Sequence, residues 1–211
     1  MPSKITRPGT AFRGLFPSHK NHCQVPYHSL GELGACLLLE FAPRVARYRS
    51  CQDRQFRISS DGDEFGYTPD YEVIHIDGDI HYIEVKPKSE CRRPSVADRL
   101  ARARSGLADA GYPLYIWDES ITEAWPRHET LKLLRPWLGK LSEVEVLEAR
   151  DLIERVQPKT VRSLVHLART RERAMAWLAN GAVGIDVDQP FTQDAEVFSD
   201  QQGIRHAPIF Y

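Results

Sequence analysis

The segment that most limits the possible folds lies between Tyr67 and Lys86, where two apolar-rich runs flank Asp77-Gly78-Asp79. An Asp-Gly step between such runs is a strong hairpin signal, and it predicts strands over 67–76 and 80–86. Side chains alternate across a strand, so Glu84 and Lys86 share one face while Ile83 and Val85 point into the core. Whether Asp70 joins Glu84 and Lys86 depends on loop parity. A three-residue loop pairs Ile76 with Ile80, setting Asp70 opposite Lys86 and diagonal to Glu84. A two-residue turn sets Asp70 against Val85, on the wrong face. An odd-length loop or a bulge is therefore expected.

The elements around this ribbon follow from local signals. Ser29 with Glu32 has the S-x-x-E pattern of a capping box, and the helix it opens runs to about Phe41, before Pro43. That helix is apolar nearly all round, so it packs on more than one side. A strand-like stretch follows over 45–58. After the ribbon come a helix from about Ser95 to Ala110, ended by Gly111, and a short strand over 113–117. Beyond Asp118 the pattern is helical, over 128–138, 142–155, 160–168 and 172–179, followed by an Asn180-Gly181 turn and a short strand over 182–187. Helices followed by a turn and a small strand suggest a winged-helix arrangement. The expected organisation is an extended basic arm over 1–27, a mixed α/β domain over 28–120 and a small, mostly helical domain with an acidic tail over 121–211.

The formal net charge of -1 does not announce a polyanion partner, but the charges are unevenly placed. Residues 1–22 carry Lys4, Arg7, Arg13 and Lys20 and no acid. The stretch 86–104 holds Lys86, Lys88, Arg92, Arg93, Arg99, Arg102 and Arg104 against Glu90 and Asp98. Such segments are either solvated faces or surfaces for nucleic acid. No run of eighteen apolar residues predicts a membrane span, and the N-terminus lacks the apolar region of a secretory signal. Cys23, Cys36, Cys51 and Cys91 are scattered without a CxxC pair, and Cys36 reads as a buried thiol; a reducing cytoplasm is the simplest compartment. His75 and His81 flank the hairpin and read as surface residues, and the four tryptophans read as core.

Two carboxylates converging at the end of a ribbon repel each other unless a cation lies between them. Hard oxygen ligands suit Mg²⁺, with Mn²⁺ able to substitute. A cation there supports phosphodiester hydrolysis, and the Lys86 amine adds positive charge for the transition state. Glu32 is the best third carboxylate, with Glu40 as the other helical acid. The reading is thus a metal-dependent phosphodiesterase with Asp70, Glu84, Lys86 and Glu32 at its site, and Lys20, Lys88, Arg92, Arg93, Arg99 and Arg102 toward DNA.

The ordered motifs carry a resemblance. Arg13-Gly14-Leu15-Phe16-Pro17-Ser18-x-Lys20 precedes Ser29-Leu30-x-Glu32 and Leu38-Leu39-Glu40-Phe41. Then come Tyr67-Thr68-Pro69-Asp70-Tyr71 and Ile83-Glu84-Val85-Lys86-Pro87-Lys88. In this the chain resembles the TnsA family, the endonuclease subunit of heteromeric transposases. The resemblance implies a restriction-endonuclease-like mixed sheet flanked by helices, with a winged-helix-like C-terminal domain. It also implies a PD-(D/E)xK nuclease site of Glu32, Asp70, Glu84 and Lys86 with Mg²⁺ held by the three acids. The substrate would be double-stranded DNA at transposon ends, cut at the 5′ ends, and the partners a DDE transposase subunit and an AAA+ ATPase regulator. The family often has Gln where this chain has Glu84, which still leaves a ligand. The alternatives are a restriction, repair or defence nuclease of the same fold, and an adaptor for DNA or protein without catalysis.

Overall fold

A computed structural model describes residues 12–60 and 63–199. Lys4 and Arg7, counted above toward the basic arm, lie outside the described residues. From Gly14 onward the expected arm is not extended coil but a hairpin of β1 (Gly14–Ser18) and β2 (Cys23–Tyr27). Phe16 faces Val25 across it, and both are buried, which gives this hairpin a reason to fold back on the body.

Helix α1 (Leu30–Phe41) begins where the Ser29 side chain accepts a hydrogen bond from the Glu32 amide and ends at Ala42. Every residue from Gly34 to Phe41 is buried, as its all-round apolar pattern predicts. Each fully buried leucine contributes roughly 1.5–3 kcal/mol of transfer free energy, so α1 is the central pillar of the molecule. The 45–58 stretch divides into β3 (Val45–Ser50) and β4 (Phe56–Ser60), because a turn at Gln52–Asp53, closed by the Arg54 amide donating to the Cys51 carbonyl at 2.8 Å, takes the chain off the sheet and β4 pairs with β5 (Asp63–Tyr67) instead. The ribbon itself is β6 (Tyr71–His75) and β7 (Ile80–Val85). Two helices follow, α2 (Lys88–Cys91) and α3 (Pro94–Asp109), then β8 (Leu114–Trp117).

The main sheet has the order β3-β6-β7-β8, antiparallel except for the parallel β7–β8 pair, between which α3 forms the crossover. Tyr71, Val73, Ile83 and Val85 share a core with α1. Tyr82, on the alternate face, shares a second core with Ile58, Tyr67, Leu100, Ala103 and Leu107 under α3. Gly106 lets α3 approach β4: a Cβ there would lie 2.5 Å from the Ile58 side chain. The sheet is therefore a layer between two helical faces.

The rest of the described chain is α4 (Glu119–Thr122), α5 (Arg127–Leu134), a 3₁₀ turn over Arg135–Trp137, α6 (Glu143–Val156), α7 (Val161–Ala168), α8 (Arg171–Ala179), β9 (Gly184–Ile185) and β10 (Val197–Phe198). Capping boxes open α6 at Ser142 and Glu145 and α7 at Thr160 and Ser163. Leu131 and Leu134 of α5 join the core built on α1, which continues through Leu164, Trp177 and Val183. The buried Arg127 guanidinium is paired with Asp188 at 2.6 Å, pinning the segment after β9 to α5. One tryptophan departs from the core expectation: Trp125 is 74% exposed. No described helix is long and apolar enough to cross a membrane.

Candidate active site at the open end of the ribbon

The position of Asp70 follows from the register. Tyr71 pairs with Ile83 and Ile74 with Ile80, so the next step outward sets Asp70 across from Glu84. Five residues separate Ile74 from Ile80, and the turn is closed by the His75 amide donating to the Asp79 carbonyl at 2.9 Å. The loop inside that closing pair has three residues, 76–78, the expected odd length, but it lies one residue earlier than 77–79. Parity is kept and the partner changes: Asp70 opposes Glu84, with Lys86 diagonal to it, where a loop over 77–79 would have opposed it to Lys86. Gly78, at φ +93°, supplies the left-handed turn residue.

Three acids fall at alternate-face positions here, Asp70, Glu72 and Glu84, and the structure treats them differently. Glu72 is fully engaged. It accepts from Arg49 Nε at 2.7 Å and from Tyr82 Oη at 2.7 Å, and Arg54 closes a second ion pair on it. Burial alone would raise its pKa, yet Arg49, Tyr82 and Arg54 outweigh burial and hold it below the ordinary glutamate value. It is a structural acid, and its arginine partners come from the β3 edge and the loop after it.

Asp70 and Glu84 have no such escort. Asp70 Oδ2 accepts from the Val85 amide at 2.7 Å. Burial first, and then the Glu84 charge, push Asp70 up to about 7, with Glu32 adding to the rise and the Val85 amide and Lys86 opposing it. Glu84 is 6% exposed; Lys86 Nζ pairs with its Oε1 at 2.8 Å, while its Oε2 has no hydrogen-bond partner among the described residues. Burial strips water from Lys86, but the Glu84 carboxylate outweighs that loss and holds the ammonium above the ordinary lysine value. Asp70, Glu84 and Lys86 are thus brought together as the sequence implies.

Glu32 stands within electrostatic reach of Asp70, but its carboxylate is occupied at the start of α1. It accepts from the His28 amide at 2.8 Å and the Ser29 hydroxyl at 3.0 Å. The expected three-acid cation set of Glu32, Asp70 and Glu84 is accordingly not gathered: among the described residues no group of three His, Cys, Asp or Glu side chains is placed to hold a metal. The two-acid corner does fit a hard cation chemically, since it offers carboxylate oxygens, one of them buried and unclaimed. Glu40 is excluded from the corner. It is buried and accepts from Ser18 Oγ, the His19 and Lys20 amides and Tyr48 Oη, at 2.7 to 3.1 Å.

Lys20 is placed otherwise than the sequence suggested. Its ammonium donates to the Leu39 carbonyl at 3.0 Å, the Val45 carbonyl at 2.8 Å and the Ala42 carbonyl, closing the C-terminus of α1 rather than facing a phosphate. Burial draws its pKa down to about 8 against the opposing Glu40 charge, so it remains a cation at neutral pH. Of the other basic residues, Lys88, Arg92, Arg93 and Arg99 are exposed along α2 and α3. Arg93 pairs with Glu90 at 3.0 Å, and Arg99 donates to the Gly66 carbonyl at 3.2 Å. Arg102 stacks over Phe65 with its guanidinium 4.9 Å from the ring, so it braces β5.

Two features differ from their reading in the sequence, in which Tyr67 is a motif residue without a role and the hairpin histidines are surface residues. Tyr67 closes β5 three positions before Asp70 and is 4% exposed, with its hydroxyl beside Glu84. The histidines of the hairpin are not surface residues: His75 and His81 are buried and their rings meet, Nε2 to Nδ1, at 2.8 Å. Burial and the neighbouring His75 draw His81 down to about 3. The alternation of the ribbon held the signal for His81, which shares its parity with Ile83, but a histidine in a strand gives no measure of its own burial.

No family model and no curated protein matches this chain.

Proposed function

We propose that this chain is a divalent-cation-dependent DNA endonuclease of restriction-endonuclease-like architecture. The observation that carries the reading is the Asp70–Glu84–Lys86 corner: a buried Glu84 carboxylate and a half-buried Asp70 carboxylate face each other at the end of one ribbon, an ammonium touches one oxygen of Glu84, and the other oxygen is unclaimed among the described residues. An acid pair kept only for packing is expected to be escorted, as Glu72 is. Leaving two acids to repel in a corner where one is buried and the other half-buried is costly, and such unpaired charge is characteristic of functional sites.

A bound Mg²⁺ would neutralise the two acids and polarise a phosphoryl oxygen. The Val85 amide fixes the Asp70 carboxylate in place, and the ribbon register fixes its distance from Glu84. Lys86, held protonated by Glu84, stands at the mouth of the corner, where its charge meets the negative charge that grows on a phosphate under attack. The exposed Lys88, Arg92, Arg93 and Arg99 line the adjoining α2–α3 surface and attract a DNA backbone.

The finer reading follows the TnsA resemblance. The substrate is a transposon end cut on its 5′ strand, and the partners are a DDE transposase and an AAA+ ATPase. The helix pair α7–α8 followed by the small β9–β10 ladder supports a winged-helix-like C-terminal unit for those contacts.

Crystals soaked in Mn²⁺ test the core claim: anomalous density is expected between Asp70 and Glu84 and absent in Asp70→Ala. Asp70→Ala is also expected to abolish Mg²⁺-dependent nicking while leaving the melting temperature intact or raised. A cation that binds elsewhere, or nicking unchanged in that variant, would remove the assignment.

A further inference from the structure

We propose that Tyr67 is a positioning residue of this site, whose hydroxyl orients the Glu84 carboxylate so that the oxygen not claimed by Lys86 is presented to a divalent cation. The inference rests on the nuclease reading and adds to it a residue that the motif acids do not include.

The case begins with a comparison among buried tyrosines. Tyr48 donates to Glu40 at 2.8 Å, Tyr71 to the Pro26 carbonyl at 3.3 Å and Tyr82 to Glu72 at 2.7 Å. Tyr67 is as deeply buried, yet its hydroxyl has no well-formed hydrogen bond among the described residues. A buried hydroxyl left unpaired costs roughly 1–3 kcal/mol. A phenylalanine would fill the same space between Ile58, Tyr82, Leu100 and Ala103 without that cost. The ring is explained by packing; the hydroxyl is not.

Its neighbour supplies the explanation. After burial, Glu84 is the group that bears most on the Tyr67 hydroxyl, and together they hold it above the ordinary tyrosine value. Glu84 Oε2 is itself buried and unclaimed. A donor and an acceptor, both buried atoms without a well-formed hydrogen bond among the described residues, are neighbours at the inner wall of the corner. Either they join directly by a small adjustment, or one ligand engages both; in each case the hydroxyl decides where Oε2 points. Without it, the only polar hold on the carboxylate among the described residues is the 2.8 Å pairing of Lys86 with Oε1. The terminal torsion of a glutamate has a broad profile, so one contact does not fix it. The hydroxyl is well anchored for this role, because Arg99 ties the preceding Gly66 carbonyl to α3 at 3.2 Å.

The test compares the full chain with Tyr67→Phe and Glu84→Gln, reading Mn²⁺ binding by electron paramagnetic resonance of the free ion and stability by thermal melting without metal. Tyr67→Phe is expected to melt at or above the wild-type temperature, since no formed bond is removed, and to bind Mn²⁺ about tenfold more weakly, the scale of effect when a ligand's orienting partner is removed. Glu84→Gln is expected to lose binding altogether. If Tyr67→Phe keeps an affinity within about twofold of wild type while Glu84→Gln loses it, the inference fails and the nuclease reading survives. A marked fall in the melting temperature of Tyr67→Phe assigns the hydroxyl to folding and also overturns the inference. Absence of Mn²⁺ binding in the wild type overturns both.

Discussion

The Asp70 carboxylate accepts a hydrogen bond from the Val85 amide at 2.7 Å, which ties the entry of β6 to the last residue of β7. The bond holds the acid at the ribbon's open end, next to Glu84, instead of letting it swing toward water. That fixed position makes the corner a source of instability and, in the proposed reading, a cation site.

The instability has a sign that can be checked. Asp70 takes up its proton near pH 7 in the fold, against 3.8 ordinarily, so between those values the folded state holds more protons than the unfolded one. Stability from this group is therefore present below 3.8 and lost as pH rises toward 7. Asp70→Asn keeps an acceptor for the Val85 amide but cannot ionise. In chelator, its melting temperature should exceed that of the wild type by a margin that grows from about pH 4 to about pH 7 and then levels. A margin that shrinks with pH refutes the assigned direction.

Lys86→Met separates charge at the reacting phosphate from simple attraction of DNA. DNA affinity should hold within about twofold while nicking falls about 10²- to 10³-fold, the scale for removing one preorganised electrostatic donor. Equal falls in binding and cleavage would make Lys86 an ordinary phosphate anchor.

Lys20→Met addresses the ammonium that closes α1. Two carbonyls at the end of α1, Leu39 and Ala42, and the Val45 carbonyl of β3 lose their donor, and a cation at the helix C-terminus also offsets the helix dipole. A destabilisation of about 2 kcal/mol in chemical denaturation is expected. The salt dependence of DNA binding should not move, and a reduced slope would return Lys20 to the DNA surface.

The buried histidines predict acid sensitivity. His81 stays neutral in the fold down to about 3, whereas an ordinary histidine protonates near 6.5. Between those values the unfolded chain binds the extra proton, so stability falls as pH drops below about 6.5, by about 1.4 kcal/mol per pH unit for one proton. His81→Gln leaves a polar partner for His75 and should flatten that slope in denaturant titrations run between about pH 4.5 and about pH 6.5.

The basic helix pair divides into two groups. Alanine at Arg92, Arg93 or Arg99 should lower the log–log salt slope of DNA binding by about one for each phosphate no longer neutralised. Arg102→Ala removes the brace over Phe65 and should lower the melting temperature with the slope unchanged.

Local pattern was enough to say which side chains share a face. Alternation puts Glu84 and Lys86 together and Ile83 and Val85 in the core, since strand geometry has a period of two whatever surrounds it. The all-round apolar run of α1 and its Ser29 cap were legible for the same reason: both depend on residues within one or two turns. Only the folded chain could settle the outcomes set by partners far along it. The hairpin loop closed over 76–78 instead of 77–79, which moved Asp70 from Lys86 to Glu84. Lys20 found the end of α1, Glu40 found Ser18 and Tyr48, and Glu72 found two arginines. An acid or a lysine carries the same letter whether it is escorted or exposed. Its role is fixed by which long-range partners reach it, and packing, not local spacing, brings those partners in.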